Sequence, residues 1–218
     1  MYTKTINIKN EHDFEILRTY EKYKPLGENG EYSTMNITIN ILDDINFKRI
    51  IKPLMLDSYN IIINGNNKKI SGLKIDNINN NSGLFGAVNM ILVKNLNIDA
   101  SIVRGYRNTG LLVGFCTNDA IFKNVSVLRS MIISKGHSGS LVGLSRNVSV
   151  DNCIMEAFIT GVDCVGGFVG TCLNYNENNS LKNPTLMVMG NNHSESVGYA
   201  KTKNINKDDD NSLKRRYF

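Results

Sequence analysis

The sequence predicts an all-β, single-domain parallel β-solenoid, or β-helix, of about six coils with a short N-terminal capping helix. Three observations predict it. One glycine-bounded phrase returns four times, as Ser82-Gly83-Leu84-Phe85-Gly86, Gly110-Leu111-Leu112-Val113-Gly114, Gly139-Ser140-Leu141-Val142-Gly143 and Gly166-Gly167-Phe168-Val169-Gly170. The closing glycines are 28, 29 and 27 residues apart, a period that marks an array of supersecondary units. A second phrase travels with the first: Val93-Lys94-Asn95-Leu96-Asn97-Ile98, Phe122-Lys123-Asn124-Val125-Ser126-Val127, Val150-Asp151-Asn152-Cys153-Ile154-Met155 and Leu181-Lys182-Asn183-Pro184-Thr185-Leu186. Its apolar residues alternate, as strands require. Finally, the repeats contain no long amphipathic helix, so each unit can bury its apolar face only against copies of itself.

Extending the second phrase backwards adds Ile70-Ser71-Gly72-Leu73 and Leu42-Asp43-Asp44-Ile45. The resulting column is Asp44, Gly72, Asn95, Asn124, Asn152 and Asn183. These residue types tolerate a left-handed backbone or bond their own main chain, which suits a corner between strands. The glycine phrase predicts two further columns, Leu84/Leu112/Leu141/Phe168 and Phe85/Val113/Val142/Val169. Strand alternation implies that one column points inward and the other outward, unless the following glycine permits a bend.

The Gly-Leu-Phe-Gly and Gly-x-Leu-Val-Gly phrases, with the intervening Lys-Asn-Leu and Lys-Asn-Val, resemble the GLUG-motif repeats of bacterial surface proteins and some secreted peptidases. The segment Ile62 to Leu73 is similar to the lead-in that precedes such repeats, so the resemblance covers roughly Met35 to Gly170. It implies a β-solenoid, often in a cell-surface or adhesive setting; a bacterial or phage-encoded protein of the adhesin or particle-component kind is the accompanying expectation. No catalytic residue belongs to the motif.

In chain order, residues 1–34 are expected to hold a short strand, Thr5 to Ile8, and a helix over Glu11 to Tyr23. Asn10 is the expected N-cap, and Phe14 and Leu17, with Ile16 and Tyr20, the buried face. This unit would close the open end of the solenoid, since terminal repeats need a protective element. Gly27 to Gly30 is a loop. The solenoid is expected over residues 35–200, starting at Met35 to Phe47, irregular from Lys48 to Asn60 around Pro53, and regular from Ile61 to Leu173. Asn174 to Asn179 reads as a polar loop. Leu181 to Val188 reads as an edge coil weakened by Pro184, and Ser194 to Gly198 as a decayed glycine phrase. Residues 201–218 read as a charged, flexible tail.

The 218 residues suffice for one well-buried domain. Asparagine and isoleucine are abundant, tryptophan is absent and proline is rare, which suits stacked strands with polar corners. The net charge is +5, of which the tail carries +3. The remainder gives too weak a field for a nucleic-acid groove. Neither a long apolar span nor a basic-then-apolar N-terminus is present, so a cytoplasmic or particle-borne protein without a membrane span is expected. Cys116 and Cys172 share a column with Ser145 between them, a separation of about 10 Å that forbids a disulfide. All four cysteines therefore read as reduced thiols, with Cys153 in a core column.

Three groups of residues are candidates for chemistry. Asp99 and Glu156 share a column with Leu128 between them, about 10 Å apart, at the loose limit for an inverting pair of carboxylates. No cation column joins them. His137 and Cys164 fall six residues before successive closing glycines, and His193 lies one residue off that register, so stacking brings them close enough for a weak metal or thiolate site. Ordinary loop residues are the plainer alternative. The terminal Lys214-Arg215-Arg216-Tyr217-Phe218 could dock on an acidic partner through charge and stacking, or could be a solvated tail. No cofactor is expected. Taken together, these features predict a non-catalytic binding or structural module: a rigid surface for a protein or glycan partner, adhesin-like, a particle component or an intracellular inhibitor. The alternative is a carbohydrate-active enzyme on the same scaffold. Either a monomer or a small homo-oligomer is compatible with exposed strand edges.

Overall fold

The computed structural model describes residues 3–23, 34–178, 180–182, 188–189, 192–194 and 197–206. The chain is a parallel β-solenoid of about six turns. Eight strands stack along its broadest face in chain order: Thr3–Ile8, Met35–Ile41, Leu54–Ser71, Phe85–Asp99, Val113–Ile133, Val142–Asp151, Val169–Asn178 and Val197–Asn206. Shorter strands off this path complete the other sides, and a second, five-stranded sheet is formed by the segments at residues 81–82, 108–109, 137–138, 164–166 and 192–194. Every strand pairing is parallel, as successive coils running the same way require.

The register turns the sequence repeat into columns. Leu54, Phe85, Val113, Val142, Val169 and Val197 stack one above another. So do Ile39, Ile63, Val93, Phe122 and Val150. These side chains are buried and belong to one continuous core, each contributing roughly 1.5–3 kcal/mol relative to exposure. The two glycine-phrase columns do not alternate. Leu84, Leu112, Leu141 and Phe168 are as buried as the residues that follow them, because each precedes its strand in a bend where the chain turns a corner and both side chains face inward. The closing glycines sit where neighbouring backbones touch: a Cβ on Gly114 would lie 2.8 Å from both the Asn81 carbonyl carbon and the Gly86 oxygen.

One corner column is as expected and one is corrected. Asn95, Asn124 and Asn152 all adopt left-handed φ near 50°. Gly72 is not in that column. Its neighbour Ser71 pairs with Asp99, so Gly72 shares the next corner with Ala100 and Arg129, which also have positive φ. The preceding turn instead meets Asn95 with the wider Gly65-Asn66-Asn67 corner, between the pairs Asn64↔Lys94 and Lys68↔Leu96. Leu181 pairs with Ile154, whereas Val150 pairs with Glu177. The phrase beginning at Leu181 is therefore displaced from the frame that aligned Asn183 with Asn152. Asn183 and Pro184 themselves lie outside the described residues.

The N-terminal cap is mainly a 3-10 helix, Glu11–Leu17, followed by one α-helical turn, Arg18–Glu21, in place of a single helix to Tyr23. Asn10 is the N-cap, accepting from the His12 N–H at 2.9 Å, and Asp13 returns bonds to Lys9 N and Asn10 N. Phe14 and Leu17 are buried, and Phe14 packs on Phe47. Ile16 faces solvent. The Thr3–Ile8 strand pairs with Met35–Ile41 and so belongs to the solenoid sheet itself.

Two corrections concern the other end. Asn174 to Asn178 is strand, not loop: it continues Val169–Asn178 in register with Asn147 to Asp151. The segment looked like a loop because its inward residues are polar. Tyr175 and Glu177 occupy the columns that hold Val148 and Val150 one turn earlier, both buried, with the Tyr175 hydroxyl donating to Glu177 Oε2 at 2.7 Å. The last strand runs to Asn206 and so takes in the first six residues of the expected tail.

Candidate functional site

The broad strand face is the surface with the most internal order. Polar residues that the register stacks form side-chain ladders along the solenoid axis, which a spacing of about 4.8 Å between coils permits. Asn40 Nδ2 donates to Asn7 Oδ1 at 3.0 Å and Asn64 Nδ2 to Asn40 Oδ1 at 2.9 Å. Asn60, Asn89 and Asn118 each donate to the asparagine of the preceding turn, Asn36, Asn60 and Asn89, at 2.7–3.0 Å. Further along, Asn147 donates to Asp119 Oδ1 and Asn174 to Asn147 Oδ1, both at 2.7 Å, while the Thr202 hydroxyl donates to Asn174 Oδ1 at 2.6 Å. At the corner beside the face, Asn124 and Asn152 extend a third row from Asn95 at 2.8 and 2.7 Å. An amide with one side engaged in its ladder still has a donor and a lone pair for a partner. The ladder fixes where they point.

Between these rows the face changes character along its length. Its central outward row reads Thr38, Ile62, Leu92, Ile121, Ser149, Asn176 and Asn204, apolar in the middle and polar at the C-terminal end. There a shallow, open depression of about 240 Å³ is lined by Asp119, Asn147, Ser149, Asn174, Asn176 and Thr202 among others.

The carboxylate pair keeps its expected column but not the freedom that catalysis would need. Leu128 pairs with Asp99, and Glu156 lies opposite the bulge at residues 128–129. Asp99 is taken up by a cation: Arg129 forms a two-pronged ion pair with it, its Nε donating to Oδ1 at 2.8 Å and Nη2 to Oδ2. That bond to Arg129 holds the Asp99 carboxyl below its ordinary range, the opposite of what a general acid needs. Asp99 thus serves as a clip across a corner whose Ala100 and Arg129 backbones are both left-handed.

His137 and Cys164 do come together. Ser138 pairs with Val165, which places His137 beside Cys164 on the outer side of the small sheet, whereas His193 pairs with Val165 and so lies one residue out of step. The side chain of His193 lies outside the described set. Thr171 Oγ1 and His137 Nδ1 are 2.9 Å apart, and burial pushes the imidazole pKa down, with nearby Arg107 adding to the effect and Asp163 opposing it. Among the described residues no group of three or more His, Cys, Asp or Glu is placed to hold a metal. Ser145 stacks between Cys116 and Cys172. Cys116, Cys153 and Cys172 are buried, while Cys164 is half-buried. Lys214, Arg215, Arg216, Tyr217 and Phe218 lie outside the described residues, so the geometry says nothing of them. No described helix is long and apolar enough to cross a membrane.

Fold and surface together define a β-solenoid with one ladder-ordered face and shallow depressions. No protein-family model matches the chain, and no curated protein does. Among solved structures it is similar to "a putative immunoglobulin A1 protease from Bacteroides ovatus", at 13% identity, with 92% of this chain and 83% of that chain covered and a TM-score of 0.47. A likeness that distant says nothing about chemistry.

The ladders are hidden in the linear sequence because each rung lies across coils, 24 to 33 residues apart in the chain. Their signal was present in the abundance of asparagine. Without the register, only the Asn95 column could be assembled.

Proposed function

We propose that the chain is a non-catalytic binding or structural module with GLUG-like repeats, adhesin-like or a particle component, that presents its broad strand face to a glycan or protein. The observation that carries this is the row of side-chain ladders. A surface whose amides are already held in place loses little rotamer freedom when it is covered, which is the advantage of pre-organisation. Solenoids use extended surfaces of this kind for recognition. The open depression at Asn147, Ser149 and Asn174 offers amide and hydroxyl donors and acceptors beside one carboxylate, Asp119, which suits hydroxyl-rich ligands as well as polar protein surfaces.

The test compares the full chain with Ser149→Arg/Asn176→Arg on glycan and protein arrays. Both residues face outward on the broad face. A ligand kept by the native chain and lost by the variant is the expected result. Binding that survives the substitutions would exclude this face, and release of cleaved product from a bound glycan would favour the carbohydrate-active enzyme. A chain ending at Asn206 tests Lys214 to Phe218 separately without cutting the last strand.

A further inference from the structure

We infer that the N-terminal end carries a second docking site, distinct from the broad face, for an acidic, aliphatic segment of a partner protein. It centres on Phe47 to Pro53, the irregular connection between the strands Ile45–Asn46 and Leu54–Ser71. This connection is tied down along its length: Phe47 N donates to Ser71 O at 2.9 Å, Lys48 N donates to Glu11 Oε2 at 2.8 Å, and Arg49 Nη2 lies 3.1 Å from His12 Nδ1. Ile51 N donates to Lys74 O at 2.9 Å and Arg18 Nη2 to Lys52 O at 2.7 Å. Just beyond it, Met55 N donates to Glu21 Oε1 at 2.8 Å.

Three surface depressions meet on this ridge. One of about 640 Å³ lies against the cap, one of about 620 Å³ against the Asp76 to Asn81 corner, and one of about 230 Å³ against Lys74, Ile102 and Arg104. Each pair shares a wall: Ile50, Lys52 and Asp76 respectively divide them. The ridge and its rim also expose apolar side chains, Ile50 at 68%, Ile78 at 88% and Met55 at 43%. Aliphatic groups gathered around concavities mark an interaction surface, whereas singly scattered ones do not.

Charge decides what fits. Arg18 engages both Glu15 and Glu21, which leaves that trio with one net negative charge. Around the ridge Arg49, Lys52, Lys74 and Arg104 then face Asp76, and among the described residues none of these four cations forms an ion pair with a carboxylate. The residues lining the three depressions are net basic, five cations against three carboxylates, with the exposed aliphatic side chains set among them. Their complement is a segment with leucine- or isoleucine-like side chains flanked by Asp or Glu, steered by charge and held by apolar contact.

The experiment titrates the full chain into a short fluorescein-labelled peptide of leucine, glutamate and serine, read by anisotropy, beside the same peptide with lysine in place of glutamate. The acidic peptide is expected to bind, and more weakly in high salt. Ile50→Asp and the double variant Lys52→Glu/Lys74→Glu should each weaken binding about tenfold or more, while Ile154→Asp, elsewhere on the solenoid, leaves it unchanged. Carbodiimide coupling on the native chain should place the peptide on Lys52 or Lys74, a readout independent of any variant's folding. Equal binding of the lysine peptide, affinity untouched by the ridge substitutions, coupling confined to other lysines, or no binding would each overturn the site. The Ser149→Arg/Asn176→Arg comparison probes the broad face separately, so failure here leaves that proposal standing.

Discussion

Substituting Gly143 with alanine tests whether the glycine phrase is a packing device between coils. A Cβ at this position would lie 2.6 Å from the Asn108 carbonyl carbon, 2.8 Å from the Gly114 oxygen and closer still to Thr109 N. All three are backbone atoms of the preceding coil, so relief needs whole strands to move apart, which breaks parallel ladder bonds. Overpacking of a core costs about 1–3 kcal/mol, and a clash with two backbone segments at once belongs at the upper end. With a urea slope of about 2–3 kcal/mol per molar, a loss of about 3 kcal/mol lowers the unfolding midpoint by about 1–1.5 M. Ser149→Ala, on the open face, serves as the control and should stay within about 0.5 kcal/mol. The assay is urea unfolding followed by circular dichroism. A fall of less than about 0.3 M for Gly143→Ala would show that the corner has room, and the close-packing account of the repeat would fail.

Two further predictions concern titration and thiols. Burial, then the adjacent Glu177 carboxylate, pushes the Tyr175 phenol well above its ordinary pKa, and burial raises Cys172 to about 12 and Cys116 and Cys153 to about 11. In the unfolded chain these groups ionise at roughly pH 8.5–10. Their stabilisation is thus complete below that range and declines as pH rises through it toward the folded values. Tyr175→Phe should flatten the decline above about pH 10 while costing about 1–3 kcal/mol at neutral pH, because Glu177 loses a donor in a buried place; an unchanged alkaline profile would contradict this. In a thiol-reagent assay, one cysteine of the native chain should react fast and all four in denaturant, and Cys164→Ser should remove the fast phase; a fast phase that persists would mean a second accessible thiol.

The fold was legible because the repeat announces itself. Phe85, Val113, Val142 and Val169 fall in the column that the glycine spacing predicts, and even Val197 falls in place at the degraded end. Errors arose where a local rule met a corner or an exception. Gly72 and the asparagines do similar backbone work at different corners, so residue type alone placed Gly72 one corner too early. Tyr175 and Glu177 satisfy each other inside the core, and a pattern method that expects apolar residues there reads the strand as loop. The candidate site was less legible. Arg129 is 30 residues from Asp99 and becomes its partner only through a bulge, and the ridge around Ile50 is defined by depressions that a linear pattern does not encode.

The asparagine ladders also bear on how such a chain can change its length. Because each amide donates to the equivalent residue one turn back, a whole turn inserted between Gly114 and Gly143 would inherit partners above and below, whereas a fragment of a turn would not. The molecule is in that sense extensible in fixed increments, like a ruler that lengthens by complete divisions. The Tyr175 and Glu177 pair sets a terminus to the scale. Duplicating its turn would bury a second carboxylate in the core, so growth by duplication is open to the earlier turns and closed at this one.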